Sequence, residues 1–206
     1  MNSAYDLLKH LAGPALKPFW RGNLSGIHHV PENGPCIVVA NHASYADFFL
    51  LASVFEMALG RRLYFWAKSK VLRHPLLGFF ARIGECIEVT PTGSRERLWE
   101  ESRAYMRQGR FVGIFPEGTR SRSGKLARFH RGYLRLACET GAPILPVLLH
   151  GTRDILPPGA GLPRPGKVRM EFHEPVRLSP SGTKDGLHEL NDRIWTSIFR
   201  ANLDQA

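Results

Sequence analysis

The chain has 206 residues, 43% of them apolar and 22% charged, with a formal net charge of +10. That length and apolar share support one domain with a full core and exclude a disordered or low-complexity chain. The charge favours an anionic partner, whether nucleic acid, an anionic membrane surface or a phosphorylated substrate, and does not by itself choose among them.

In chain order, the first segment is Tyr5–Trp20, with Leu7, Leu8, Leu11, Leu16, Phe19 and Trp20 beside Lys9 and Lys17, interrupted by Gly13-Pro14. It reads either as an interfacial segment with Trp20 at headgroup level or as a helix packed on its own domain; the basic chain favours the first. Residues 1–23 are therefore taken as a membrane-facing segment and 24–206 as the folded domain. The lysines and His10 do not suit a signal peptide, and no run reaches the 18 or more apolar residues of a spanning helix. The expected placement is peripheral, on the cytoplasmic side of a membrane.

Strand and helix signals then alternate. Cys36–Ala40 is a short, β-branched apolar run and reads as a buried strand, followed by a helix over Ala46–Leu59. Next come a strand at Leu63–Ala67, a helix over Lys70–Arg82 with His74-Pro75 near its start or as a break, and a strand at Cys86–Val89. A polar-faced helix, Gly93–Arg107, precedes a strand at Phe111–Phe115 and an Arg-rich loop over 116–129. Arg131–Thr140 reads as a helix closed by Gly141, and Ile144–Leu149 as a strand broken by Pro146. A Pro/Gly loop over 151–167, a strand at Val168–Phe172 and a helix over Leu187–Asn202 complete the pattern. The alternation predicts a single α/β domain with a mostly parallel central sheet and helices on both faces. Cys36, Cys86 and Cys138 form no C-x-x-C pair and read as buried reduced thiols; no His/Cys spacing suits zinc, so no metal is expected.

The segment Asn41-His42-Ala43-Ser44-Tyr45-Ala46-Asp47 directly follows the first buried strand. His42 and Asp47 therefore flank a strand-to-helix turn at the carboxyl edge of the sheet, where open α/β folds place their chemistry. A His there can take a proton from a hydroxyl while the carboxylate holds its tautomer. The competing reading is a His bracing the turn and an Asp starting the helix. Ser44 reads as the helix N-cap rather than a nucleophile, since the chain holds no G-x-S-x-G elbow. Downstream, Phe115-Pro116-Glu117-Gly118-Thr119-Arg120-Ser121 also follows an apolar run. Gly118 permits backbone approach to an anion, Thr119 offers a hydroxyl, and Arg120 and Arg122 offer forks suited to phosphate. Glu117 is expected to brace an Arg or orient a hydroxyl; the competing reading of the whole loop is a solvated basic turn. The stretch Gly118–Lys125 fails as a P-loop, because Leu126 stands where Ser or Thr should bind magnesium. Pro146, Gly151 and Thr152 mark the end of another strand at the same edge.

Taken in order, these segments resemble the glycerophospholipid acyltransferase family, whose best-known members are 1-acylglycerol-3-phosphate acyltransferases. Asn41, His42, Ser44 and Asp47 match its first block, Phe115–Ser121 match its third at every position, and Pro146, Val147, Gly151 and Thr152 match its fourth. The resemblance spans roughly residues 24–178 and makes 24–206 an acyltransferase domain. In the second block Gly84 is present, but the place of the family's phosphate-holding Arg reads Thr90, followed by Pro91, with Arg95 the nearest alternative. Lys68 matches a lysine common before that block.

The resemblance implies acyl transfer from a thioester, acyl-CoA or acyl carrier protein, to the hydroxyl of a lysophospholipid, 1-acylglycerol-3-phosphate first. His42 would be the general base and Asp47 its partner; Glu117, Gly118, Thr119, Arg120 and Lys68 would bind substrate. Asn41, Ser44, Pro146, Gly151 and Thr152 would support them, with backbone amides near Gly151 as candidate oxyanion donors. No cofactor is implied. Thr90 leaves a different lyso-lipid acceptor open. The competing class is a non-catalytic basic domain on an anionic membrane, which would need the charge but neither His42 nor Asp47. Nucleic acid is disfavoured, because the Arg residues are scattered and no stacking motif accompanies them.

Overall fold

The computed structural model describes residues 20–90, 95–121, 127–157, 160, 162–178 and 184–203. Seven strands form one sheet: β1 Trp20–Ser25, β2 Cys36–Ala40, β3 Leu63–Lys68, β4 Ile87–Val89, β5 Phe111–Ile114, β6 Ile144–His150 and β7 Gly166–Phe172. The order across the sheet is β1-β7-β6-β2-β5-β3-β4. Every neighbouring pair is parallel except β6 with β7. The predicted mostly parallel α/β sheet is therefore the observed one. The helices are α1 Ala46–Leu59, α2 Ser69–Leu72, α3 Pro75–Ile83, α4 Arg95–Arg107, α5 Gly132–Thr140, α6 Thr152–Ile155 and α7 Lys184–Leu203.

Strand β2 is buried at every position and alternates between two cores. Val38 and Ala40 pack with Leu50, Val54 and Phe55 of α1, whereas Ile37 and Val39 face Tyr133 and Leu136 of α5 and Ile194 of α7. A strand buried on both faces needs the continuous apolar run seen in its sequence, with no polar alternation. Helices thus cover both faces, as the alternating pattern predicts.

Several expectations need correction. The boundary drawn at residue 23 falls inside β1, which is held by parallel pairing from Trp20↔Gly166 to Ser25↔Glu171. The membrane reading of Tyr5–Trp20 otherwise rests on residues 1–19, outside those described. In the Lys70–Arg82 segment, His74-Pro75 is the break that the sequence offered as one alternative: His74 caps α3 by accepting from Leu77 N at 3.2 Å, with Pro75 at its first position. Pro146 does not break β6. The ladder with β7 runs from Val147↔Phe172 onward, and Ile144 bridges Val176 on the other side, so Pro146 sits between the two where no ladder N–H is required. Its carbonyl still accepts from His173 N at 3.0 Å. The 151–167 loop contains α6 and the start of β7. Of the cysteines only Cys36 is fully buried; Cys86 is half-buried and Cys138 exposed, all unpaired. Burial pushes the Cys36 and Cys86 thiols up to about 12.

Candidate active site

The carboxyl ends of β2, β3, β4, β5 and β6 lie along one edge of the sheet, because those strands run parallel. On that edge, the turn from β2 into α1 is organised by one carboxylate oxygen. Asp47 Oδ2 accepts from Ala43 N at 2.7 Å and Ser44 N at 2.8 Å, and lies 2.8 Å from His42 Nδ1. Asp47 is completely buried, while the His42 side chain is 17% exposed. A carboxylate that already accepts two amides can only accept from the imidazole too, so Nδ1 carries the proton and Nε2 the lone pair. The ring is further fixed by stacking on Phe115, centroids 4.2 Å apart at 15°. A fixed, partly exposed imidazole with Nε2 unprotonated has the geometry that general-base catalysis requires.

Ser44 closes the turn. Its hydroxyl is fully buried, donates to Leu156 O at 2.7 Å and accepts from Ala46 N at 3.0 Å. Ser44 is thus not the helix N-cap expected from sequence: the cap position is Tyr45, without a side-chain hydrogen bond, and Ser44 sits one residue before it with its hydroxyl engaged on both sides. Asn41 ties the end of β2 to β6, donating to Leu149 O at 2.9 Å and accepting from Leu149 N at 2.7 Å.

The Phe115–Ser121 block folds back over this turn. Ser121 N donates to His42 O at 2.8 Å. Glu117, expected to brace an Arg or orient a hydroxyl, instead accepts from two backbone amides: His42 N at 2.7 Å and Ala127 N at 3.1 Å. Burial pushes its carboxyl upward, against the pull of those two amides. Both carboxylate oxygens of Glu117 are thus engaged in clamping the turn after β2 to the loop after β5. Gly118 has φ +63°, and an added Cβ would stand 3.2 Å from the His130 ring, so the turn tolerates little beyond Gly. Thr119 is exposed. Arg120 lies over the Tyr45 ring, 3.5 Å from its centroid.

Lys68 is exposed at the end of β3, in register with Val89. With β5 between β3 and β2 it stands about 10 Å along the edge from the β2 end, at roughly 4.8 Å per strand. Thr90, directly after β4, is half-buried on the same edge. Gly151 has φ +75°, and a Cβ there would come within 2.0 Å of Lys167 O, so its glycine is a packing requirement of the β6–β7 contact. Thr152 is buried, and its hydroxyl has no partner among the described residues. Among the described residues no group of three or more His, Cys, Asp or Glu is placed to hold a metal, and no helix is long and apolar enough to cross a membrane. Sequence reasoning missed the roles of Phe115 and Tyr45. Both sit inside the two blocks, so their place beside His42 and Arg120 was the available signal.

The family model described as Acyltransferase matches residues 21–150. The chain belongs to this family. The chain is 30% identical over 174 residues to the 1-acyl-sn-glycerol-3-phosphate acyltransferase BAT2, chloroplastic, of Brassica napus, covering 82% of the chain and 49% of that relative. It is 28% identical over 188 residues to the 1-acyl-sn-glycerol-3-phosphate acyltransferase of Pseudomonas aeruginosa, covering 89% of the chain and 70% of the relative. The chain thus spans about half the length of the plant relative and more of the bacterial one. Among solved structures, the crystal structure of the 1-acyl-sn-glycerophosphate (LPA) acyltransferase PlsC from Thermotoga maritima superposes with a TM-score of 0.74 at 29% identity, covering 100% of this chain and 80% of that chain.

Proposed function

We propose that this protein moves a fatty acyl group from a thioester, acyl-CoA or acyl carrier protein, to the free hydroxyl of 1-acylglycerol-3-phosphate, giving phosphatidate. The observation that carries the reading is the 2.8 Å contact between His42 Nδ1 and buried Asp47, which leaves Nε2 as a base at the sheet edge. The shared names of the relatives support the acceptor. In the proposed step, His42 Nε2 takes the acceptor hydroxyl proton as the oxygen attacks the thioester carbonyl carbon. The tetrahedral intermediate then collapses: the C–O bond stays, the C–S bond breaks, and the departing thiolate takes the proton from the imidazolium. Asp47 stabilises the imidazolium between the two steps. No acyl-enzyme is formed, in keeping with the buried, bonded hydroxyl of Ser44. Arg120 and Lys68, on either side of β5, would hold the acceptor phosphate, with Gly118 and Thr119 beside them. Enzyme and lipid meet at an anionic membrane surface, the protein lying peripherally on its cytoplasmic side.

The test is thiol release from a long-chain acyl-CoA with lysophosphatidate in detergent micelles, with the lipid product analysed. Wild type should form a diacyl product, and His42→Ala should fall by about 10²–10⁴-fold, the usual worth of a general base. A folded variant that keeps more than about a tenth of the rate removes His42 from that role. Thr90, in place of the Arg the family carries, favours a second reading: the same chemistry on another lyso-lipid. Wild-type product with such a lipid but not with lysophosphatidate would select it. A non-catalytic membrane-binding domain would release no thiol with any acceptor.

A further inference from the structure

The guanidinium carbon of Arg120 lies 3.5 Å from the centroid of the Tyr45 ring, well inside the range of about 6 Å for a cation–π contact and close enough that the group lies flat on the ring. Some arginines are paired with carboxylates, as Arg62 is with Glu85, Arg97 with Glu101, Arg103 with Glu139 and Arg169 with Glu171, whereas others, such as Arg61 and Arg110, lie over aromatic rings away from the candidate site. Among the described residues Arg120 has no such carboxylate, and the Tyr45 ring is its contact. Its planar fork of donors is held by one face and left uncommitted at its edge, which is the arrangement a phosphate requires.

Both partners are anchored where they stand. Tyr45 lies between Ser44 and Ala46, whose amides donate to Asp47 Oδ2 at 2.8 Å and Ser44 Oγ at 3.0 Å. Arg120 directly precedes Ser121, whose amide is bound to His42 O at 2.8 Å. The ring and the cation are therefore fixed to the same turn that carries the base. Thr90 occupies the place where the second block would supply another guanidinium, so the orientation of Arg120 carries more of the acceptor's binding.

We propose that Tyr45 is a positioning residue, its ring locking the Arg120 guanidinium beside His42 to receive the phosphate of the acceptor. This assignment rests on the acceptor reading given above. It acts through Arg120 on acceptor binding and leaves proton transfer alone.

The experiment is the same thiol-release assay with Tyr45→Leu, Tyr45→Phe, Arg120→Lys and the Tyr45→Leu/Arg120→Ala pair. Tyr45→Leu should raise KM for lysophosphatidate about 2- to 30-fold, the reach of a partly desolvated cation–π contact, with kcat within about threefold of wild type. Tyr45→Phe keeps the ring and should restore the wild-type KM. Arg120→Lys keeps the charge but loses the planar stack, and should raise KM whether or not Tyr45→Leu folds. In the Arg120→Ala background, Tyr45→Leu should add nothing. An unmoved KM in Tyr45→Leu or in Arg120→Lys, an equal loss in Leu and Phe, or a KM shift that persists without Arg120 would each overturn the assignment while leaving the acceptor reading intact. Wild type with no diacyl product from lysophosphatidate would overturn both.

Discussion

Replacing Asp47 by Asn separates two jobs that one carboxylate performs. Oδ2 receives all three donors at 2.7–2.8 Å, and Oδ1, equally buried, has no partner among the described residues. Asn fits with its oxygen in the place of Oδ2 and its NH2 in the place of Oδ1. The turn amides keep their acceptor, and Nδ1–H keeps its own, so the tautomer with Nε2 unprotonated survives. What disappears is the negative charge opposite the imidazolium. Two unit charges about 4 Å apart interact by about 4 kcal/mol at an effective dielectric near 20. The 17% exposure of His42 lets water screen part of this, leaving about 2–3 kcal/mol, or a loss in kcat of about 30- to 200-fold. The stability cost is separate: a buried NH2 without an acceptor costs about 1–3 kcal/mol, which a domain with 5–15 kcal/mol survives. Asp47→Ala is the poorer probe, since it strips the two turn amides as well. Initial rates of thiol release at saturating acceptor, with urea midpoints alongside, measure both effects. A rate within about fivefold of wild type would mean that the charge is not used. A rate as low as that of His42→Ala, in a variant of near-native stability, would mean that Asp47 does more than steady the imidazolium.

Two further outcomes concern the frame. Gly151→Ala drives a Cβ to 2.0 Å from Lys167 O at φ +75° and should cost roughly 3 kcal/mol or more; an unfolding free energy from urea titration within about 1 kcal/mol of wild type would contradict the packing role. His150 and His173 are both held below the ordinary imidazole range, chiefly by burial. As pH falls through 6.5 the unfolded chain takes up protons at these positions before the folded one, so stability should drop on acidification, by up to about 1.4 kcal/mol per pH unit for each. Urea midpoints between pH 7.5 and 5.5 should slope downward, less steeply in His173→Gln; an unchanged slope in that variant would exclude His173 as a contributor.

The inner strands were legible because each is buried on both faces and so must be written as an apolar run, as Cys36–Ala40 and Ile144–Leu149 are. Strand β1 was not legible: Trp-Arg-Gly-Asn-Leu-Ser has no apolar alternation, and its form comes from pairing with β7, whose sequence lies far downstream. Pro146 misled for a related reason. A local rule says that Pro ends a strand, yet here the gap in the neighbouring ladder removes the need for its N–H. At the site, the contact of His42 with Asp47 could be anticipated from the spacing, since both sides of a single turn supply it, while their roles came only with the resemblance of the whole block. The target of Glu117 was not, because nothing local says that the loop after β5 crosses back over β2. The contact of Arg120 with Tyr45 depends on the same crossing.

The antiparallel pairing of β6 with β7 reverses the polarity of the last two strands of the sheet, and β1 follows β7. Trp20 consequently enters the sheet at the edge where β2 and β5 leave it, about 14 Å along that edge from the end of β2 at roughly 4.8 Å per strand. A preceding segment with even weak affinity for a lipid surface would raise the local concentration of that surface at His42, by the linker arithmetic that gives short tethers effective concentrations in the millimolar range. Under the proposed function, surface affinity in such a segment and chemistry at His42 could change independently, while the direction of β1 holds both at one edge of the sheet.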